Sequence, residues 1–595
     1  KGICIDAKEH VNCGVIGISW LLRGLSDNGF PDVAYLLATQ RTYPSWGYMA
    51  ENGATTIWEL WNGDKADPKM NSGNHVMLLG DLLTWCYQYL GGIQQKGVNV
   101  QQVAEADASV AYKHIVLKPA FSIQNCESVK ADYETPYGVV KSQWKKTLQH
   151  VDWDITVPCN TTADVYLPDG KVETVGSGDY HYSVEIPTRD AAILKDEFLY
   201  DYSGFPSAHA STITQLKNGD LVAAYFGGTF ERNPDVCIWV SRKPKGAKAW
   251  EKPILAADGV YRLGTPEAKK AGLSGIDEKT TPADKGPIKD GLRRFGVPAG
   301  YKYDFRSKSA NIKLPANLKR KSCWNPVLYT MPDGEIWLFY KVGSTVGDWT
   351  GCLVKSKDGG KTWTDPEALP DGFLGPIKNK PEMVNGRLIC GSSTENKGWR
   401  FHVEILDLKT KKWKYVGPVD AELKPRTDDV DSATVDMQHP IYKEGEKARY
   451  IYSIQPSILK LKDGRLQVLM RTHNAKLATS FSSDGGDTWT PVTLLDIENN
   501  QSGTDAVTLK DGRHVLIYNN FETLPGTKKG PRTPLSLAIS DDGTHWRHLL
   551  TLEDSPINQY SYPGIIEGKD GKLHCIYTWR RQRVAYKEVD LKKIK

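Results

Sequence analysis

The sequence predicts a multidomain, mainly β protein whose second half is a six-bladed β-propeller. Three observations carry that prediction. From about residue 198 a strand–turn–strand unit recurs six times. A second motif, S-x-D-x-G-x-T-W, recurs inside those units. And 595 residues exceed what one hydrophobic core supports, so several domains are expected.

Residues 1–93 read as helical. Gly14–Gly24 and Pro31–Leu37 carry apolar residues at helical spacing, with turn chemistry at Ser26-Asp27-Asn28-Gly29 between them. A further helix is expected over Asp81–Leu90, stopped by Gly91-Gly92. Residues 94–193 change to short alternating runs such as His114–Leu117, Gly138–Trp144 and Ala163–Leu167, with a turn at Pro168-Asp169-Gly170. This pattern predicts an antiparallel β-sandwich.

Residues 194–595 hold the repeat. A Pro precedes a short apolar strand, and a Gly turn follows it. The copies are Pro206 with Asn218-Gly219, Pro326 with Asp333-Gly334, Pro381 with Asn385-Gly386, Pro456 with Asp463-Gly464, Thr504-Asp505 with Asp511-Gly512, and Pro563 with Asp570-Gly571. Asn-Gly and Asp-Gly between apolar runs signal hairpins, and six hairpins in series predict six blades around an axis. The second motif fits Ser356–Trp363 and Ser482–Trp489, and Ser540–Trp546 is one residue short. Trp250 and Trp413 end degenerate copies. The Asp carboxylate is expected to cap backbone N–H groups of a tight turn, a structural role. The Lys-, Gly- and Pro-rich stretch at about 255–321 breaks the rhythm and reads as an insertion.

Composition excludes several classes. A net charge of +5 is too small to argue for nucleic acid. No apolar run of about 18 residues predicts a membrane span. The ten Cys form no C-x-x-C pair, so no zinc site is expected, and neither a metal nor a cofactor is called for. The 18 Trp and 28 Tyr suit a core and also sugar-stacking platforms.

Two resemblances follow from local motifs. Tyr43-Pro44-Ser45-Trp46-Gly47-Tyr48, then Gly53–Trp61, then Asn74-His75 resemble the bacterial α-L-rhamnosidases over most of residues 10–190. That resemblance implies the C-terminal helices of an α-helical toroid over 1–93 and a trailing β-sandwich. The family uses two carboxyls to invert the anomeric centre. Glu59 matches its general base, and Trp46, Trp58 and His75 match positions lining the sugar pocket. No motif for the general acid is found here, and the sequence opens at Lys1 without a signal peptide. The resemblance thus implies the tail of a rhamnosidase.

The repeats of the second half are similar to the sialidases and their Asp-box relatives. There, an Arg triad clamps a carboxylate, a Tyr attacks the anomeric carbon, a Glu activates the Tyr, and an Asp serves as acid/base. By that resemblance Tyr560 matches the nucleophile, Arg471 and Arg532 two of the Arg, and Asp235 the acid/base with Glu231 its rival. The first Arg is replaced within Gly204-Phe205-Pro206, and the activating Glu by Gln455. Further polar residues at strand starts are His209, Asn325, Lys378, Lys380, Glu395, Asp505 and Arg580. Their convergence would make an electropositive pocket fit for an anionic sugar.

The expected function is therefore a glycoside hydrolase acting on an acidic, rhamnose-containing polysaccharide or oligosaccharide. The propeller would be its exo-acting site. A lyase on a uronate and a non-catalytic sugar binder are the alternatives. The substrate class implies a periplasmic or secreted location.

Overall fold

The computed structural model describes residues 3, 7, 9–95, 110–200, 205, 207–262, 318–396, 398–421, 451–521, 530–557 and 559–594. The chain divides into two compact units, Lys1–Arg189 and Asp190–Lys595.

In the first unit the helices are Val15–Asp27, Pro31–Ala38, Trp46–Glu51 and Val76–Trp85. Pro31 occupies the first turn of its helix, where the missing N–H costs nothing. The Ser45 hydroxyl caps the next helix by accepting from the Tyr48 N–H at 2.9 Å. The first helix continues through Asp27, so the expected turn contracts to Asn28-Gly29, with Gly29 at φ 84°. The last helix starts five residues earlier than Asp81 and passes into a π-turn at Cys86–Leu90. It stops at Gly92, whose φ is 72° and where a Cβ would sit 2.2 Å from the Pro119 nitrogen. Ile18, Leu22, Ala34, Leu37, Trp46 and Trp85 form the buried core between these helices.

Two four-stranded sheets follow. One is built from Ile93–Gln95, His114–Leu117, Thr162–Tyr166 and Val172–Val175; the other from Ser128–Thr135, Gly138–Lys146, His150–Val157 and Gly178–Glu185. Ile115, Leu117, Trp144, Trp153 and Val165 share one core. The expectation of a purely antiparallel sandwich is corrected: His114–Leu117 pairs Thr162–Tyr166 in parallel. A long crossover through the second sheet separates these two strands in sequence, which parallel pairing requires.

In the second unit, six four-stranded antiparallel sheets follow one another along the chain. Their first strands are Ser207–Gln215, Ser322–Thr330, Glu382–Val384, Ser453–Lys460, Asp505–Thr508 and Tyr560–Glu567. Each is joined to its second strand by one of the predicted Gly turns. Gly219, Gly334, Gly386, Gly464, Gly512 and Gly571 all have φ between 75° and 99°, a region open to Gly at little cost. The sixth sheet takes its outer strand, Ile193–Phe198, from the start of the unit. That pairing ties the two ends of the unit together and covers a sheet edge.

The described ends of the 255–321 segment are regular. Ile254–Ala257 is the fourth strand of the first sheet, and Val260–Arg262 pairs Leu318–Arg320 as a ribbon. Residues 263–317 lie outside the described residues, as do Gly204 and Pro206.

The Asp boxes behave as local staples. Asp358 accepts from the N–H groups of Lys361 and Thr362 at 3.0 and 2.9 Å and from the Thr362 hydroxyl at 2.5 Å. Asp484 repeats the Thr488 contacts at 2.9 and 2.6 Å. Burial alone would raise the Asp358 carboxyl, but these donors outweigh it and hold the group at about 2. The short third copy works the same way, Asp542 accepting from Thr544 and His545 N–H at 2.8 Å each.

Candidate functional site

Four first strands of the second unit carry the same defect. Their registers shift at Ala210-Ser211, Asn325-Pro326, Gln455-Pro456 and Tyr562-Pro563. The leading residue of each pair has a positive φ: 56°, 27°, 58° and 49°. These are β-bulges. Pro is at home there because it has no N–H to give to the ladder. A bulge re-aims the side chain before it, and non-Gly residues take such φ values only when the surroundings compel them.

Tyr562 is the centre of the result. Its phenol oxygen accepts from Arg471 Nη1 at 2.9 Å and from Gln455 Nε2 at 3.4 Å. Its ring lies 4.1 Å from that of His209, and the guanidiniums of Arg471 and Arg532 each sit 5.6 Å from its centroid. Gln455 bridges outward, accepting from Arg471 Nη1 at 3.2 Å and donating to Glu395 at 3.2 Å. Arg471 also stacks over Trp399 at 4.6 Å, and Trp399 stacks on His473 at 3.7 Å.

The electrostatics follow from burial among cations. His209 is driven well below the usual imidazole range by burial, with Arg581, Arg532, Arg471 and Lys378 adding to it. Its Nδ1 is 2.9 Å from the Thr578 hydroxyl. Burial pushes Arg532 down to about 10, so it stays charged at neutral pH. Glu395 is pushed up by burial, an effect that Arg471 and Gln455 only partly offset. Glu231 is paired with Arg581 at 2.6 Å.

Several expected site residues take other roles. Tyr560 is fully buried in the apolar core of the sixth sheet against Tyr577, and burial drives its phenol far above the usual range. Tyr562, two residues on, is the tyrosine that the bulge turns into the cluster. Arg580 sits over Trp579 at 4.4 Å and reaches Ser555 at 3.3 Å; Arg581 is the residue that joins Glu231. Asp235 holds its own hairpin, accepting from the Thr229 N–H and hydroxyl at 2.8 and 2.6 Å.

Lys378, Lys380 and Asp505 are tied into a knot of buried hydrogen bonds, with Lys378 Nζ also 5.9 Å from the Tyr562 ring centroid. Lys378 donates to Asn379 Oδ1, Thr504 O and Pro563 O at 2.7, 2.8 and 2.5 Å. Burial lowers it to about 7. Lys380 bonds both oxygens of Asp505, which also accepts from Ser457 and the Ile565 N–H. The cavity beside them is only about 10 Å³, without room for a ligand. Asn325 sits at its bulge, 4% exposed, with its carbonyl 3.4 Å from Lys341 Nζ. Lys341 is itself fully buried against the Pro376 and Ile377 carbonyls.

In the first unit, Glu59 is joined to Ser72 twice: its N–H donates to the Ser72 carbonyl at 2.9 Å, and its Oε2 accepts from the Ser72 N–H at 2.7 Å. His75 donates its N–H to Ile57 O at 2.6 Å, which lays the two residues on adjacent segments. Trp46 and Trp58 are buried in the helical core, Trp46 edge-on to Trp61 at 5.1 Å. No group of three or more potential metal ligands occurs among the described residues. None of the described helices is long and apolar enough to cross a membrane.

Sequence reasoning missed Tyr562, Trp399 and Lys341. A signal for Tyr562 was present: it precedes the repeat's Pro, as Asn325 and Gln455 do.

Comparison with known proteins places these features. Residues 3–90 match the bacterial alpha-L-rhamnosidase 6 hairpin glycosidase domain, residues 98–188 the bacterial alpha-L-rhamnosidase C-terminal domain, and residues 308–575 a BNR repeat-like domain. An alpha-L-rhamnosidase of Streptomyces avermitilis is 35% identical over 170 residues, 28% of this chain and 15% of that protein. A sialidase of Micromonospora viridifaciens is 22% identical over 354 residues, 54% of this chain and 50% of that protein. Among solved structures, the NanB sialidase of Streptococcus pneumoniae aligns at 14% identity and a TM-score of 0.44, covering 77% of this chain and 85% of that one. The chain spans about one-sixth of the length of the curated rhamnosidases it matches. The chain thus carries, in order, segments similar to the hairpin-glycosidase and C-terminal domains of the bacterial α-L-rhamnosidases and a segment similar to a BNR repeat-like domain.

Proposed function

We propose that the second unit is a six-bladed β-propeller and an exo-acting glycoside hydrolase for an anionic sugar. On this reading the six sheets are blades, and their first strands line the axis. The observation that carries the reading is the set of groups around one phenol: Tyr562 with Arg471, Arg532, His209, Gln455 and, through Gln455, Glu395. The cations would bind a sugar carboxylate by charge-assisted hydrogen bonds. A neutral phenol approaches an anionic substrate without repulsion. Its oxygen bonds to the anomeric carbon as the bond to the leaving oxygen breaks. In its protonated form Glu395 donates to that oxygen, and Glu231 takes the phenol's proton. Water then attacks the anomeric carbon, giving its proton to Glu395 as the bond to Tyr562 breaks and the phenol regains its proton from Glu231.

The substrate we propose is an acidic, rhamnose-containing polysaccharide or oligosaccharide, on the strength of the rhamnosidase domains in the same chain. A periplasmic or secreted location is proposed with it, on substrate class alone. One observation favours a second reading, a uronate lyase: both polar contacts on the Tyr562 oxygen come from donors. In its deprotonated form an oxygen so held would take the C5 proton, and the phenol so formed would pass that proton to the leaving oxygen as the C4–O bond breaks.

The test is product analysis with rhamnose- and uronate-containing oligosaccharides. A new reducing end without ultraviolet absorbance, lost in Tyr562→Phe, supports the hydrolase. An absorbing unsaturated product supports the lyase. Binding without any product overturns both and leaves a sugar-binding propeller.

A further inference from the structure

A cavity of about 630 Å³ opens between the second and third sheets of the second unit. Trp349, Phe373, His402, Tyr415, Asp371 and Glu395 are in its wall. Glu395 is also the carboxylate bonded to Gln455, so this cavity borders the Tyr562 cluster.

Its floor is a built arrangement. Glu404, 0% exposed, accepts from the Leu374 and Gly375 N–H groups at 3.0 and 2.6 Å, from the Ser392 hydroxyl at 3.0 Å and from His402 Nε2 at 3.0 Å. Four donors use up the carboxylate's lone-pair sites. The two N–H groups belong to the loop that lines the cavity, so Glu404 fixes that loop and the imidazole together. With Nε2 on Glu404, Nδ1 is the ring nitrogen left to meet a ligand hydroxyl, a group that can both donate and accept. His402 is 3% exposed and Nδ1 is buried without a hydrogen-bond partner. A buried, unpaired polar nitrogen in a cavity wall is costly unless something fills it. The Tyr415 ring stacks on the same imidazole at 4.5 Å and remains 40% exposed.

Asp348 and Asp371 stand in this wall, with Lys321 paired to Asp348 at 3.1 Å, whereas Arg471 and Arg532 flank Tyr562. Nδ1 and Asp371 offer hydrogen-bond partners to sugar hydroxyls, and Trp349, Phe373 and Tyr415 offer faces to ring C–H groups. The volume is within the ordinary range of small-ligand pockets. We propose that this cavity is a second sugar subsite, specific for a neutral ring, next to an anionic ring at Tyr562. The order of the two rings rests on the proposed function above; the neutral-ring site itself does not.

The test uses the full chain, with Tyr415→Ser and His402→Gln, which keeps a donor to Glu404. Titration calorimetry compares free uronic acid with a rhamnose–uronate disaccharide. The second ring is expected to tighten wild-type binding about tenfold, the scale of one stacking contact plus one hydrogen bond. Both variants are expected to lose that gain and bind the free uronic acid as wild type does. A gain kept in both variants, or absent from wild type, overturns the subsite. Should the uronic acid fail to bind, the anionic site fails and the subsite is judged by saturation-transfer NMR with methyl rhamnoside. Signals lost in both variants sustain it; signals unchanged by them, or none with wild type, overturn it.

Discussion

Replacing Tyr562 or Tyr560 by Phe separates two tyrosines that lie two residues apart. Tyr562→Phe removes the oxygen that accepts from Arg471 at 2.9 Å and Gln455 at 3.4 Å. Arg471 Nη1 keeps only Gln455 Oε1, at 3.2 Å. Loss of one acceptor from a buried guanidinium costs about 1–3 kcal/mol of stability. The chemistry suffers more, because the reacting oxygen is gone. A fall of about 10³-fold in kcat/KM is expected, equivalent to about 4 kcal/mol of transition-state stabilisation. Tyr560→Phe removes a hydroxyl from a ring packed against Tyr577 in the sixth sheet's core, so its rate is expected to stay within about threefold of wild type. The assay is initial rate of product release at matched folded fraction, checked by thermal melts. Inactivation by Tyr560→Phe with activity retained in Tyr562→Phe refutes the assignment.

Three further outcomes are expected. Asp358 is held at about 2, below its unfolded value, so its contribution is present above about pH 4 and is lost as pH falls toward 2. The group is exposed, so solvent screening leaves about 1 kcal/mol, and Asp358→Asn should abolish that part of the acid dependence in denaturant titrations. Lys380→Met strands the buried Asp505 carboxylate and should cost about 3–5 kcal/mol by urea unfolding, with KM per folded molecule unchanged. Glu59→Gln keeps an acceptor for the Ser72 N–H and should leave uronate-linked product release unchanged; a fall above tenfold would assign that chemistry to the first unit.

The repeat was legible in sequence because it is written in local chemistry. A Gly turn needs a positive φ whatever surrounds it, and an Asp box closes within seven or eight residues; both therefore appear in the chain itself. Arg471 and Arg532 were named from the sialidase resemblance, and the structure places both guanidiniums 5.6 Å from the Tyr562 ring. That Tyr560 and Tyr562, and Arg580 and Arg581, have different surroundings comes from one physical cause. Side-chain direction in a strand alternates with a period of two, and a bulge or a run of positive φ resets it. Tyr562 at φ 49° and Arg581 at φ 59° lie at such resets.

The roles of the buried charges were decided by tertiary structure alone. Lys378 and Lys380 carry the same charge as Arg471, and nothing local tells a knot of backbone carbonyls from a substrate clamp. What distinguishes them is distance: three carbonyl or carboxylate partners within 3.1 Å for each lysine, against a phenol and an amide for Arg471. The parallel pairing of His114–Leu117 with Thr162–Tyr166 belongs to the same class. Sequence determined the turns, the repeat count and the two domain resemblances, because each is set by neighbours along the chain. Which side chains meet at Tyr562, and that Glu404 presents His402 to a cavity, depends on residues up to 369 positions apart, as for His209 and Thr578. Only the folded chain brings such partners within hydrogen-bond distance.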